Sequence, residues 1–316
     1  MKTKPTCTFL VIALSALVSI QAYSGTPSPQ KTENVESLRG LKILTWNIYM
    51  LPYCSWIHGN CKRARGIAKE LSASDYDIIV FEEAFDFLAR NILRSKLSKT
   101  YPYMYGPANQ SLLSLHTNSG IWVVSKVPLK KLEEIEYSYR YGIDAMARKG
   151  AVLFEGEWQG NTFQLAGTHL QADSPDTIRR EQCQEISSKL LKKYSRTNVP
   201  QIVCGDFNIE MDDQTNYCYM LNTLDAQNGA IDGDIQTSFD EVNNCLAKRE
   251  NGKKRLIDYV LIRNNNLIKE IRRRIAVFKE HRNNLSLDLS DHYGMEAVVN
   301  FGTDANLTAL SYVQGN

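Results

Sequence analysis

Four short apolar runs in this chain stop at polar residues, and a fifth begins just after some. Trp46 is followed by Asn47, Val80-Phe81 by Glu82-Glu83, Ala166-Gly167-Thr168 by His169, and Val203-Cys204-Gly205 by Asp206-Phe207-Asn208. Ser290-Asp291-His292 precedes the last run. Carboxylates with an Asn oxygen suit a hard divalent ion such as Mg²⁺, which prefers oxygen ligands and keeps several waters. Two histidines can serve as base and acid, because imidazole titrates near neutrality. An aspartate beside a histidine fixes its tautomer and favours its charged form. Asn208 can donate to an oxygen on which charge develops. Together these residues describe metal-assisted hydrolysis of a phosphate ester. The chain has no Walker loop and no dinucleotide fingerprint.

Each piece also has a local explanation. Asn47 suits a turn, and one of Glu82 and Glu83 is expected to be a solvated strand end. His169 can be a core histidine bonded to backbone, and Gly205-Asp206-Phe207-Asn208 an Asx turn. What points to chemistry is five such items, each at the end of a strand. Ends of neighbouring strands converge, because a sheet gathers its loops on one rim.

The elements that must position them are legible from periodicity. Leu41 to Asn47 alternates as a strand, and Asp77 to Phe81 is a continuous apolar run fit for a strand buried on both faces. Lys62 to Leu71 reads as a helix, and Leu88, Ile92, Leu93 and Leu97 have helical spacing. Strands are expected at 121–125, 149–157, 163–167, 201–205, 257–262 and 297–301. Ser174-Pro175 is expected to open a long helix, with serine as cap, proline at the first position, and Ile178, Gln182, Ile186 and Leu190 on one face. Strands with intervening helices, then hairpins, suggest a layered sheet sandwich with outer helices.

The composition is that of an ordinary globular protein: 316 residues, 43% hydrophobic and 23% charged. A formal net charge of +2 argues against whole-surface attraction to nucleic acid or anionic lipid, and a mean hydropathy of −0.34 excludes a polytopic membrane protein. Lys2 and Lys4 precede a short apolar run, residues 9–20, too short for a span of ~20 residues. Residues 1–22 are read as a signal peptide cleaved after Ala22, 23–40 as a Pro/Ser/Thr-rich leader, 41–302 as the catalytic domain and 303–316 as a dispensable tail. Export makes disulfides feasible. Cys54 and Cys61 flank a short polar stretch, Cys218 and Cys245 flank a loop-like insert, and Cys183 and Cys204 fit buried thiols.

The ordered set Thr45-Trp46-Asn47, Glu82-Glu83, Gly167-Thr168-His169-Leu170, Gly205-Asp206-Phe207-Asn208, Ile257-Asp258-Tyr259 and Ser290-Asp291-His292-Tyr293 resembles the endonuclease/exonuclease/phosphatase superfamily of metal-dependent phosphoesterases. Within it, Asn47-Ile48-Tyr49-Met50-Leu51, Phe81-Glu82-Glu83-Ala84-Phe85-Asp86, Lys149-Gly150 and Thr168-His169-Leu170-Gln171-Ala172 look most like the secreted bacterial neutral sphingomyelinases. Thr237-Ser238-Phe239-Asp240 and Asn244 with Ala247-Lys248 echo another of their segments.

The resemblance implies an α/β (α+β) fold, DNase-like: a two-layer β-sandwich of mixed sheets flanked by helices. It implies that Glu83 and Asn47 hold a catalytic Mg²⁺. His292 would activate water, oriented by Asp291 or Asp206, while His169, Asp206 and Asn208 contact the phosphate and stabilise the leaving oxygen. The implied reaction is hydrolysis of sphingomyelin, or a related phospholipid at a membrane surface, to ceramide and phosphocholine by a secreted monomer. Two departures stand out. Asn118-Ser119-Gly120 replaces an acidic-Gly-Gly stretch, and Ala276 to Leu289, where the family's membrane-binding toxins carry an aromatic-rich hairpin, offers only Phe278. The loop of Met50 to Tyr53 with Trp56-Ile57 is an alternative route to peripheral membrane contact. Rival readings are a secreted nuclease of the same superfamily, using Lys253-Lys254-Arg255 and Arg272-Arg273-Arg274, and a binding module that keeps the fold. The basic runs are expected to be solvated faces, so contact with nucleic acid is not expected.

Overall fold

The computed structural model describes residues 39–52, 57–111, 116–263, 266–282 and 285–302. The segments expected to be a signal peptide and tail, nearly all of the expected leader, Tyr53, Cys54 and Trp56 lie outside the described residues. In chain order the strands are β1 (Leu41–Met50), β2 (Ile78–Ala84), β3 (Tyr103–Tyr105), β4 (Trp122–Ser125), β5 (Leu129–Glu136), β6 (Gly150–Trp158), β7 (Asn161–His169) and β8 (Gln201–Asp206). They continue with β9 (Ile231–Asp232), β10 (Phe239–Asp240), β11 (Lys254–Arg255), β12 (Asp258–Arg263), β13 (Ile268–Ala276), β14 (Lys279–Arg282), β15 (Leu285–Asp288) and β16 (Gly294–Phe301). The helices are α1 (Asn60–Ser72), α2 (Phe87–Leu97), α3 (Asp176–Glu185), which runs on into a wider π-type turn at Ile186–Leu191, and α4 (Gln214–Leu224).

Seven strands form one sheet in the order β3-β4-β2-β1-β16-β13-β9, and five form the other as β12-β8-β7-β6-β5. Both are mixed. β1 pairs parallel to β2 and β7 parallel to β8, whereas β1 and β13 pair antiparallel to β16. This is the two-layer sandwich flanked by helices that the sequence led us to expect.

Alternation along β1 explains how the layers meet. Leu41 and Ile43 face the second sheet, while Leu44, Trp46, Ile48 and Met50 pack against α1 and α2. Strand period 2 then puts Thr45 and Asn47 on the inter-sheet face, in line with Leu41 and Ile43. On β2, Ile78 and Val80 join the inter-sheet core and Ile79 and Phe81 the helix-side core, so Glu82 also points between the sheets. The apolar ladder becomes polar at one rim of the sandwich.

Two expectations are corrected. Pro175, not Ser174, occupies the N-cap of α3, and no side chain caps that end. Instead, the Ser174 hydroxyl accepts from Arg179 Nη1 at 3.3 Å. Cys218 and Cys245 are both free thiols, so they do not bridge the insert, and Cys183 and Cys204 are buried thiols as anticipated.

Candidate active site

The polar rim is built from both sheets. From the first come Asn47 at the end of β1, Glu82 and Glu83 at the end of β2, and Asp291-His292 just before β16. From the second come His169 ending β7, Asp206 ending β8 and Asp258 opening β12. Pairing register places His169 beside Asp206 and Asp206 beside Asp258. Across the gap, Asn47 Nδ2 donates to Asp206 Oδ2 at 3.1 Å, so the two sheets are stitched together at the site itself.

His292 is buried, and its Nδ1 lies 2.9 Å from Asp258 Oδ2, with Nε2 3.7 Å from Asp206 Oδ2. Its ring packs tilted against Phe239, centroids 4.7 Å apart. Burial works against the imidazolium, but the Asp258 and Asp206 carboxylates outweigh it and push this histidine well above the usual range. The carboxylate on Nδ1 is therefore Asp258, where Asp291 or Asp206 had been expected. Asp291 accepts instead from Ser290 Oγ at 3.2 Å. Sequence reasoning had quoted Asp258 within a motif without giving it a role. Its signal was a carboxylate opening an apolar run that reads as a buried strand.

His169 behaves oppositely. Lys149, almost wholly buried, places Nζ 3.0 Å from His169 Nε2, 2.6 Å from Asp144 Oδ2 and 3.0 Å from the Leu170 carbonyl. Burial, then the Lys149 charge, depress His169 to about 3. His169 Nδ1 is buried with no partner. Asn208, with φ of 49°, donates its backbone N–H to Asp206 Oδ1 at 2.9 Å and its amide to the Leu170 carbonyl at 3.2 Å.

Neither glutamate is a solvated strand end. Glu82 is fully buried and accepts from Thr45 Oγ1 at 2.6 Å, and burial drives its carboxyl well above the usual range. Glu83 has φ of 53°, a left-handed backbone that breaks strand alternation and re-aims the side chain. Its Oε2 is buried with no partner. Burial and the Asp291 carboxylate raise it to about 7 against the pull of Lys149 and of a hydrogen bond from Asn47.

An orphaned carboxylate oxygen, pressed by a second carboxylate and next to an amide, is the donor set a hard divalent ion relieves, so Glu83 and Asn47 fit such an ion. Asp206, Asp258 and His292 also offer ligand atoms within 4.8 Å of one another. In that trio, however, His292 Nδ1 is already committed to Asp258.

Arg63 went unnoticed in the sequence. It donates to the carbonyls of Ile48 at 2.8 Å and Leu289 at 3.0 Å, tying β1 to the segment that carries Asp291 and His292. Lys253, Lys254, Arg272 and Arg274 are exposed, as expected of solvated faces, but most of the charges in these runs are paired. Arg273 is buried on the Val260 carbonyl, and Arg272, Arg274, Lys254 and Arg255 pair with Glu270, Glu296, Asp240 and Glu241.

A model of the Endonuclease/Exonuclease/phosphatase family matches residues 44–292. The chain is 28% identical over 272 residues to a phospholipase C of Staphylococcus aureus, covering 79% of this chain and 81% of the relative. It is 29% identical over 255 residues to a sphingomyelinase C of Bacillus cereus, covering 72% and 75%. A crystal structure of a Staphylococcus aureus beta toxin double mutant with bound magnesium ions superposes with a TM-score of 0.72 at 25% identity, over 83% of this chain and 100% of that one. Sphingomyelinase C from Streptomyces griseocarneus shares the fold, with a TM-score of 0.72 at 24% identity over 83% and 99%.

Proposed function

The chain belongs to the Endonuclease/Exonuclease/phosphatase family, and from that premise we propose that it is a Mg²⁺-dependent phosphodiesterase. Its substrate is sphingomyelin or a related phospholipid at a membrane surface, and its products are ceramide and phosphocholine. Residues 41–302 form the catalytic domain, exported after removal of the signal peptide at 1–22. The reading is carried by His292 held on Asp258 at 2.9 Å, within one buried cluster with Asp206 and Asn47.

In this mechanism Asp258 fixes the His292 ring, so that the neutral form keeps its proton on Nδ1 and offers Nε2 to an attacking water. Proton uptake at Nε2 yields an imidazolium that Asp258 and Asp206 stabilise. His169 Nε2 accepts from Lys149, which leaves the proton on Nδ1. That buried, partnerless donor serves a phosphoryl or leaving oxygen. Asn208 adds an amide donor beside it. Glu83 and Asn47 would hold the metal, which when bound supplies positive charge to the phosphoryl oxygens. Asp291 lies next to Glu83 and tunes its charge.

Purified protein should hydrolyse sphingomyelin in Mg²⁺ and stop in chelator. Folded protein inert in every divalent metal would end this reading. Faster turnover of plasmid DNA than of lipid would favour a nuclease, which the neutralised basic runs argue against.

A further inference from the structure

Two cavities of opposite character flank the catalytic cluster. The first, about 490 Å³, is walled by Pro52, Phe85, Phe87 and Leu88 and bounded by Asn118. Pro52, Phe85 and Asn118 lie on loops next to strands of the seven-stranded sheet, and Phe87 and Leu88 open α2. Phe87 and Leu88 stand 66% and 59% exposed at its lip, turned away from the α2 face that buries Ala89, Leu93 and Leu97. The wall is continuous with the site. Gly120, at φ of 79°, lets Phe85 pack against the Glu83 backbone, and a methyl there would meet the Phe85 ring at 2.8 Å and Glu83 Cα at 3.1 Å.

The second cavity, about 450 Å³, is lined by Tyr141, Asp173, Asn208 and Glu210 on loops, by Arg179 of α3 and by Arg255 of β11. It is polar almost throughout. It too is continuous with the site, through Asn208 and through a row in which the Arg255 guanidinium lies 4.7 Å from the Phe239 ring and that ring 4.7 Å from His292.

A phospholipid diester is itself amphipathic across its phosphorus, with hydrocarbon on one side and a charged headgroup on the other. Burial of methylenes favours an apolar wall, and burial of charge requires polar partners. We propose that the substrate lies across the cluster with its hydrocarbon end in the cavity of Phe85, Phe87 and Leu88 and its headgroup in the cavity of Tyr141, Asp173 and Glu210, whose carboxylates suit a cationic choline. This rests on the phospholipase reading above and gives it a direction. The lipid-facing edge of the molecule is then the β2–α2 junction, in place of the β14–β15 hairpin, whose neighbouring Phe278 is withdrawn onto Trp46 at 4.5 Å.

The test uses short-chain phosphocholine diesters, dissolved as monomers so that no interface contributes, in a series differing by single methylenes. For the intact protein, kcat/KM should rise by up to about fourfold per added methylene, the equivalent of ~0.8 kcal/mol per buried CH₂. In Phe87→Ser/Leu88→Asp that slope should flatten, whereas in Arg179→Gln the slope should persist while the preference among headgroups changes. Phe87 and Leu88 are exposed whereas Arg179 is partly buried, so melting curves check that each variant folds. A slope unchanged in the double variant, or absent in the intact protein, overturns the orientation while leaving the phosphodiesterase reading intact. A slope lost in Arg179→Gln instead would reverse it. Intact protein that cleaves a chainless chromogenic phosphodiester but no phospholipid would overturn both the orientation and the lipid reading.

Discussion

Lys149 donates to His169: Nζ lies 3.0 Å from Nε2, and both side chains are buried. An ammonium has donors only, so the imidazole must accept at Nε2 and carry its single proton on Nδ1. Burial, reinforced by the lysine charge, holds the histidine near 3, and it stays neutral throughout the working range. The two histidines of the cluster are thereby driven in opposite directions, His169 to a fixed neutral donor and His292 toward an imidazolium held between carboxylates.

Replacing Lys149 by Met should release that constraint. Turnover is expected to fall about tenfold to a hundredfold, the usual cost of losing a partner that orients a site residue. The His169 ring should titrate closer to the ordinary histidine range, followed by NMR of the ring protons. Unchanged turnover together with an unmoved titration would show that Lys149 neither sets the tautomer nor matters to the chemistry.

Asp258 and Asp291 make opposite predictions for the base. Asp258 bonds His292 Nδ1 directly, whereas Asp291 reaches Ser290. Asp258→Asn offers the ring the wrong partner for its N–H and should lower kcat by about 10²–10⁴, with KM little changed. Asp291→Asn should act mainly on the Mg²⁺ concentration needed for half activity, because its carboxylate presses on Glu83. Equal losses of kcat in both variants would mean that the hydrogen-bond geometry does not identify the orienting group.

Much of this was legible in the sequence, and for definite reasons. The runs at 77–81, 201–205 and 257–262 are largely apolar on both faces and read as buried strands, whose polar ends then share a rim. Alternation in β1 marks Asn47 as inward. What escaped was pairing in three dimensions. That Asp258 sits opposite Asp206 follows from β12–β8 register, which no local pattern records. One of Glu82 and Glu83 reads as solvated because a Glu-Glu pair at a strand end usually is. Here β2 runs deeper than its apolar stretch, and Thr45 satisfies the inward carboxylate. The α3 start misled because Ser-Pro is compatible with two cap registers one residue apart.

Arg63 sets a prediction about stability. Its guanidinium donates to the His58, Ile48 and Leu289 carbonyls and to Asn60 Oδ1, with further contact to the Tyr49 carbonyl. Arg63→Met strands several buried acceptors at ~1–3 kcal/mol each, partly offset by relief of the desolvated charge. A net loss of about 3 kcal/mol is expected, seen as a fall in Tm of roughly 6–12 °C. Because Arg63 ties β1 to the His292 segment, kcat should drop too. A Tm within 2 °C of the parent (about 1 kcal/mol or less on this scale) would show that the carbonyls find other donors.

The Glu83 carboxyl gives the site a pH-dependent appetite for cations. Burial and Asp291 raise it to about 7, above its ordinary 4.5. With a raised acid the folded state binds more protons than the unfolded chain between those two values. The metal-free protein therefore loses stability from this group as pH climbs from about 4.5 to about 7, and recovers it on acidification. A divalent ion needs the ionised form, so its affinity should weaken by about tenfold per pH unit once pH falls well below 7. Calorimetric titration with Mg²⁺ at pH 5.5, 6.5 and 8 should show that trend, and Mg²⁺ should raise Tm more at pH 8 than at pH 6. Glu83→Gln should abolish both dependences and raise the Mg²⁺ requirement more than any other single change in the cluster. Affinity that is flat across this range in the intact protein would mean that the ion is held by Asp206 and Asp258 instead.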